Sequence, residues 1–182
     1  MKEGSLYFVD STNAGILRCA QNDMAQWFFR SLLGPQASWT STLPFRTPVP
    51  NSMHWSRPRI TYRWILNYFA PYLGRRVIEV GAGLGTFSRF LLDFSSVCEL
   101  IALEPADNLF PLLEQRFRED RRVRPLEGYL EDYAASLVAD SVVLVNVLEH
   151  IADDAEFLRL AYEVLLPGGT VLVFTPAVPT IQ

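Results

Sequence analysis

Glu79, Gly81, Gly83, Gly85 and Glu104 are the residues whose types and spacing point to chemistry. The run from Arg76 to Ser88 reads R-V-I-E-V-G-A-G-L-G-T-F-S. Val77, Ile78 and Val80 make a short β-branched run, as in a buried strand. Three glycines then remove side chains from a tight turn, where the chain needs unusual dihedrals and a ligand needs close approach. Thr86, Phe87, Arg89, Phe90, Leu91 and Leu92 resume with helical spacing. Strand, glycine turn and helix present backbone to a nucleotide-like ligand in an α/β sheet. The glycines run G-x-G-x-G rather than the G-x-G-x-x-G of a dinucleotide fingerprint. Glu79 would repel a pyrophosphate, but it suits an ammonium group. Glu104 stands about twenty residues past the last glycine, where nucleotide-binding logic places an acid for the ribose hydroxyls. A carboxylate there can accept a hydrogen bond from each hydroxyl.

These residues need a parallel sheet to bring them together. Further strands are expected over 97–103, 123–127, 142–146 and 170–175. Helices are expected between them. Asp107 to Arg118 turns Leu109, Leu112, Leu113 and Phe117 inward, and Phe157, Leu158, Ala161, Val164 and Leu165 form the buried face of a helix capped by Asp153 or Asp154. Ahead of the first strand, Ile60, Trp64, Ile65, Tyr68 and Phe69 recur at helical spacing over 59–73, and Pro71 and Gly74 close that helix.

Two more runs carry a resemblance. V-N-V-L-E-H-I-A-D-D spans Val145 to Asp154, and L-L-P-G-G-T-V-L-V spans Leu165 to Val173. With the glycine turn and Glu104, in this order, they resemble class I S-adenosylmethionine-dependent methyltransferases. Within that class they are similar to the enzymes of ubiquinone biosynthesis and of small-molecule methylation. The resemblance covers residues 57–176 and implies an α/β, Rossmann-like, doubly wound sheet: five parallel strands with helices on both faces. It implies S-adenosylmethionine as cofactor, held by Glu79, Gly81, Ala82, Gly83, Gly85, Glu104, Pro105, Tyr129, Leu130, Asn146 and Val147. Asn146 would lie beside the methionine part, and Tyr62 and Arg63 could reach the cofactor's carboxylate. His150 is the candidate base, needed only if the acceptor holds a proton. No metal is called for, because a sulfonium is already an activated leaving group.

The chain departs from the family in two places. The family's turn after the third strand carries an acid directly after the glycine, facing the adenine amino group; here Tyr129 follows Gly128. Tyr129 could stack on the ring, or the Leu130 backbone could read its edge. The family's sheet normally has seven strands, and the last two are missing from this reading. The fifth strand would then be an open edge. A missing segment or a partner chain is expected to cover it, the N-terminal extension being an alternative in which no convincing strand is read, and the chain reads as a fragment.

Residues 1–52 are expected to be a poorly structured extension and linker, and 53–182 the cofactor-binding domain. Asn22 or Asp23 could cap a short helix over Met24 to Leu33, and the stretch 38–50 is rich in Ser, Thr and Pro. No strand is read in the extension, and Met53 is a candidate natural start. With 49% hydrophobic and 20% charged residues, most of the 182-residue chain should be globular. The net charge of −4 gives no broad attraction to nucleic acid or anionic membrane. Neither a membrane span nor a signal peptide is read. Cys19 and Cys98 make no disulfide framework; Cys98 reads as a buried thiol and the compartment as cytoplasmic.

The expected function is methyl transfer to a small-molecule acceptor. The alternative is a truncated, non-catalytic module that binds the cofactor. A nicotinamide oxidoreductase is disfavoured by the glycine spacing, Glu79 and the V-L-E-H-I run. The N-P-P-Y-type run of DNA amine methylation is absent.

Overall fold

A computed structural model describes residues 4–10, 17–20, 58–94 and 96–176. The expected helix near Met24, the Ser/Thr/Pro-rich stretch and the candidate start at Met53 lie outside the described residues.

The sheet has seven strands in chain order: β1 (Gly4–Asp10), β2 (Leu17–Ala20), β3 (Arg76–Val80), β4 (Glu99–Glu104), β5 (Val123–Glu127), β6 (Ala139–Val145) and β7 (Leu165–Pro176). Their spatial order is β2-β1-β7-β6-β3-β4-β5. β3 to β7 are mutually parallel, with β3 at the centre between β4 and β6. These are the five strands expected from the sequence, except that β7 begins at Leu165, which the sequence pattern assigns to the preceding helix, rather than at Thr170. The helices among the described residues are α1 (Pro58–Phe69), α2 (Thr86–Leu92), α3 (Phe110–Phe117), α4 (Leu130–Tyr133) and α5 (Asp154–Glu163). Short 3₁₀ turns cover Ala70–Tyr72 and Leu148–His150.

Side chains alternate across the sheet, as period-two strands require. Val77, Leu100, Ala102, Val143 and Leu172 bury one face against α1, α2 and α3. Ile78, Val80, Ile101, Leu103 and Val142 bury the other against α4 and α5. Both faces are covered, which is why these strands read as near-continuous apolar runs.

The open edge expected on the fifth parallel strand is not there. β1 runs antiparallel along β7, with register from Gly4↔Pro176 to Asp10↔Thr170. β2 then pairs antiparallel with β1, from Leu6↔Ala20 to Val9↔Leu17. The N-terminal segment, read as lacking a strand, thus supplies two, and this edge of β7 needs no partner chain. The physical reason is that pairing satisfies the backbone donors and acceptors that β7 would otherwise leave open. The sequence signal was the β-favouring run Leu6-Tyr7-Phe8-Val9, which is too short to show a period.

Two local readings also change. Cys98 is exposed rather than a buried thiol, because β4 begins only at Glu99 and Cys98 sits in the preceding turn, its Sγ donating to the Ser96 carbonyl at 3.5 Å. The helix expected from Asp107 starts at Phe110, with Pro111 in its first turn, a position where proline's missing donor is harmless. Among the described residues no helix is long and apolar enough to cross a membrane.

Candidate functional site

The sheet changes direction of growth at β3. The chain proceeds from β3 through β4 to β5 on one side, then crosses to β6 and β7 on the other. Such a switch point opens a crevice at the C-terminal strand ends. The turn after β3, Glu104 ending β4, Gly128 after β5 and Asn146 after β6 all lie at this end.

All three glycines of the turn have positive φ, at 70°, 57° and 71° for Gly81, Gly83 and Gly85. They do different work. A Cβ on Gly81 would lie 2.6 Å from Cγ2 of Val147, so its bareness lets the turns after β3 and β6 approach. A Cβ on Gly85 would lie 2.3 Å from Cε2 of Phe117, so this glycine seats α2 against α3. A Cβ on Gly83 would meet nothing within 4 Å. Gly83 alone borders open space, and it is the glycine at which a ligand can meet bare backbone.

Glu104 is joined to this turn. Its Oε2 accepts the Gly83 amide at 2.6 Å and its Oε1 the Ala106 amide at 2.9 Å. The Ala82 amide donates to the Leu103 carbonyl at 2.9 Å, which places the turn beside the end of β4. Each carboxylate oxygen keeps a lone pair after these bonds, so two further donors can be accepted. Pro105, next in the chain, is exposed.

Glu79 lies deeper, 3% exposed, between Ala102 of β4 and Val143 of β6 in the sheet. The Ser88 hydroxyl donates to its Oε2 at 2.6 Å. No cation pairs with it among the described residues. Burial pushes its carboxyl up to about 8; the Ser88 bond opposes that shift, and the negative charge of Glu104 adds to it. Tyr62 of α1 lies on the same side, its ring edge-on to Phe87 at 5.4 Å and to Phe90 at 5.8 Å. Burial and then the Glu79 charge raise the Tyr62 hydroxyl above its ordinary value. Arg63, its neighbour in α1, is exposed.

Asn146 follows β6 with φ at 57°, a left-handed conformation that asparagine tolerates better than most residues. Its amide donates to the Phe174 carbonyl at 2.8 Å. Its Oδ1 is buried and has no hydrogen-bond partner among the described residues. A buried acceptor without a donor is costly, and a ligand donor would remove that cost.

The remaining expected residues follow β5 and β6 and differ in exposure. Tyr129 is 62% exposed, and its amide donates to Oδ2 of Asp132 at 2.8 Å, capping α4. Leu130 is fully buried beneath it. The Gly128 amide donates to the Glu104 carbonyl at 3.2 Å, joining this turn to β4. Val147 is half-buried against Gly81, and His150 is exposed, its amide bonded to the Val147 carbonyl at 2.9 Å. Thr175 of β7 donates to Oε2 of Glu149 at 2.8 Å, tying the 3₁₀ turn to the sheet. Sequence reasoning missed Ser88 and the Thr175–Glu149 pair. Ser88 did leave a signal: it is a hydroxyl within the inward-facing set Phe87, Leu91 and Leu92.

The family described as methyltransferase domain matches residues 78–171. The human mitochondrial ubiquinone biosynthesis O-methyltransferase is 32% identical over 113 residues, 58% of this chain and 30% of that protein. The ubiquinone biosynthesis O-methyltransferase of Xanthomonas campestris pv. campestris strain B100 is 29% identical over 107 residues, 56% of this chain and 43% of that protein. The chain thus spans less than half the length of the curated relatives it matches. Among solved structures, a sarcosine dimethylglycine methyltransferase of Galdieria sulphuraria, described as putative, aligns with TM-score 0.56 at 20% identity, over 62% of this chain and 44% of that one. A complex of the Haloferax volcanii Trm112 methyltransferase activator with a methyltransferase, likewise described as putative, gives TM-score 0.55 at 20% identity, over 64% of this chain and 53% of that one. At these identities the solved structures show a common fold.

Proposed function

We infer function from one premise: this chain belongs to the methyltransferase domain family. The reading is an S-adenosylmethionine-dependent methyltransferase acting on a small molecule. The O-methyltransferase names of the relatives favour a hydroxyl as the acceptor.

The observation that carries this reading is the Glu104 carboxylate, bonded to Gly83 beside open space. The residues present suit the cofactor. Glu104 has acceptor capacity left for two ribose hydroxyls. Gly83 offers bare backbone at the turn. Among the described residues Glu79 is a buried carboxylate with no cation beside it, and Asn146 Oδ1 is a buried acceptor with no donor; both suit the ammonium of an amino-acid tail. Exposed Tyr129 and Pro105 stand on the side expected for the adenine, where Tyr129 offers a ring face instead of an acid, and the Leu130 backbone follows. Gly81, Ala82, Gly85 and Val147 hold the shape of the turn.

When bound, S-adenosylmethionine supplies a methyl group on a positively charged sulfur that leaves as a neutral thioether. The chain's own part is positioning and exclusion of water, worth roughly 7–11 kcal/mol at best. His150, exposed in the 3₁₀ turn beyond the end of β6, is the residue we assign as base for an acceptor hydroxyl.

Calorimetry with S-adenosylhomocysteine and, separately, NAD tests the cofactor assignment. Binding of the homocysteine adduct without NAD binding is the expected result; the reverse would overturn it. Release of S-adenosylhomocysteine with a panel of small phenols and alcohols tests turnover. Binding without any turnover would favour a cofactor-binding module.

A further inference from the structure

The Glu79–Ser88 pair has a consequence beyond cofactor binding as such. Glu79 is almost wholly buried, and among the described residues it is faced from two packed helices and from both neighbouring strands. Tyr62 faces it from α1, Ser88 from α2 and the Glu104 carboxylate from β4, while its sheet neighbours Ala102 and Val143 are apolar. None of these is a cation. The one hydrogen bond to its carboxyl among the described residues comes from a hydroxyl that is itself fully buried. A carboxyl so placed keeps its proton until a positive charge arrives.

We propose that Ser88 is a positioning residue which orients the Glu79 carboxylate as counter-ion for a ligand ammonium, so that binding an S-adenosyl amino acid drives one proton from Glu79 to solvent. This rests on the cofactor reading above. The proton balance is simple: the ligand-free site holds a neutral carboxylic acid, the bound site holds a carboxylate beside an ammonium, and the proton leaves to buffer. The site thereby selects ligands that carry the amino-acid tail over those with only the nucleoside. Ser88 lowers the energy of the ionised form by donating to it, and so sets the pH at which binding becomes strong.

The test is calorimetry on the full chain in two buffers of different ionisation enthalpy. The probes are S-adenosylhomocysteine, which carries the ammonium, and 5′-methylthioadenosine, which lacks it. With the Glu79 carboxyl near 8, S-adenosylhomocysteine should release about 0.9 proton at about pH 7, and its affinity should rise nearly tenfold from about pH 6 to about pH 7. Methylthioadenosine should release none. Ser88→Ala should weaken S-adenosylhomocysteine at neutral pH and move the rise in affinity to higher pH, and Ser88→Thr should restore it. S-adenosylhomocysteine binding with flat pH dependence, or equal proton release with methylthioadenosine, would overturn the proposal while leaving the cofactor reading intact. An unchanged pH profile in Ser88→Ala would overturn the role of Ser88. Failure of S-adenosylhomocysteine to bind at any pH would overturn both readings.

Discussion

Oε2 of Glu104 lies 2.6 Å from the Gly83 amide, although the two residues are 21 positions apart. This bond makes the end of β4 and the turn after β3 one unit. It also makes Glu104 sensitive to isosteric change. In Glu104→Gln, one carboxylate oxygen becomes an amide NH₂, which meets either the Gly83 or the Ala106 N–H donor to donor. The variant should lose S-adenosylhomocysteine affinity by about 1.5–3 kcal/mol for each charge-assisted bond weakened. Calorimetry checks this, and undiminished affinity would remove Glu104 from the site.

Gly83 and Gly85 should part company on substitution. Gly83→Ala strains a left-handed residue by about 1–2 kcal/mol but collides with nothing, so it should fold and bind ligand more weakly. Gly85→Ala adds collision with Phe117 to the same strain, roughly 2–5 kcal/mol together, and should lower the melting temperature much further. Melting curves and ligand titrations on both variants separate the two roles.

Glu79 predicts a pH dependence of folding. Its folded value, about 8, lies above its ordinary 4.5, so the native state holds a proton that the unfolded chain releases between those values. Its contribution to stability is fully present below about 4.5 and is lost as pH rises through about 8, by an amount on the order of 5 kcal/mol. The ligand-free protein should therefore melt at lower temperature at about pH 8.5 than at about pH 6, apart from the effects of other groups. Glu79→Gln keeps an acceptor for Ser88 and should flatten this fall. An equal slope in the variant would assign the effect elsewhere.

β1 predicts protection of β7. Amides between 170 and 176 that point toward β1 should exchange slowly in the full chain. Removal of residues 1–20 should free them and promote association through the bared edge. Hydrogen exchange followed by mass spectrometry reads this directly, and unchanged protection would mean that β1 does not seal the edge.

His150 is exposed, so its loss should not disturb the fold. If it takes the acceptor's proton, His150→Ala should lower kcat by about 10²–10⁴ and leave S-adenosylhomocysteine affinity unchanged. Equal turnover by variant and parent would assign the proton elsewhere.

The local order of strand, glycine turn and helix was legible in the sequence because it rests on side-chain type and period. β-branched runs make strands, and glycines allow positive φ. These properties belong to residues close together in the chain, so Val77–Val80 and Gly81–Gly85 could be read directly. The pairing of Glu104 with the turn could be expected from spacing, because a parallel crossover returns the chain beside its starting strand. Tertiary structure alone decided the rest. The division of labour among Gly81, Gly83 and Gly85 depends on Val147 and Phe117, which are far away in sequence. The charge state of Glu79 depends on burial between β4 and β6. The place of β1 depends on an unpaired edge more than 150 residues downstream, and backbone hydrogen bonds between strands carry no mark of their partner in either strand's composition.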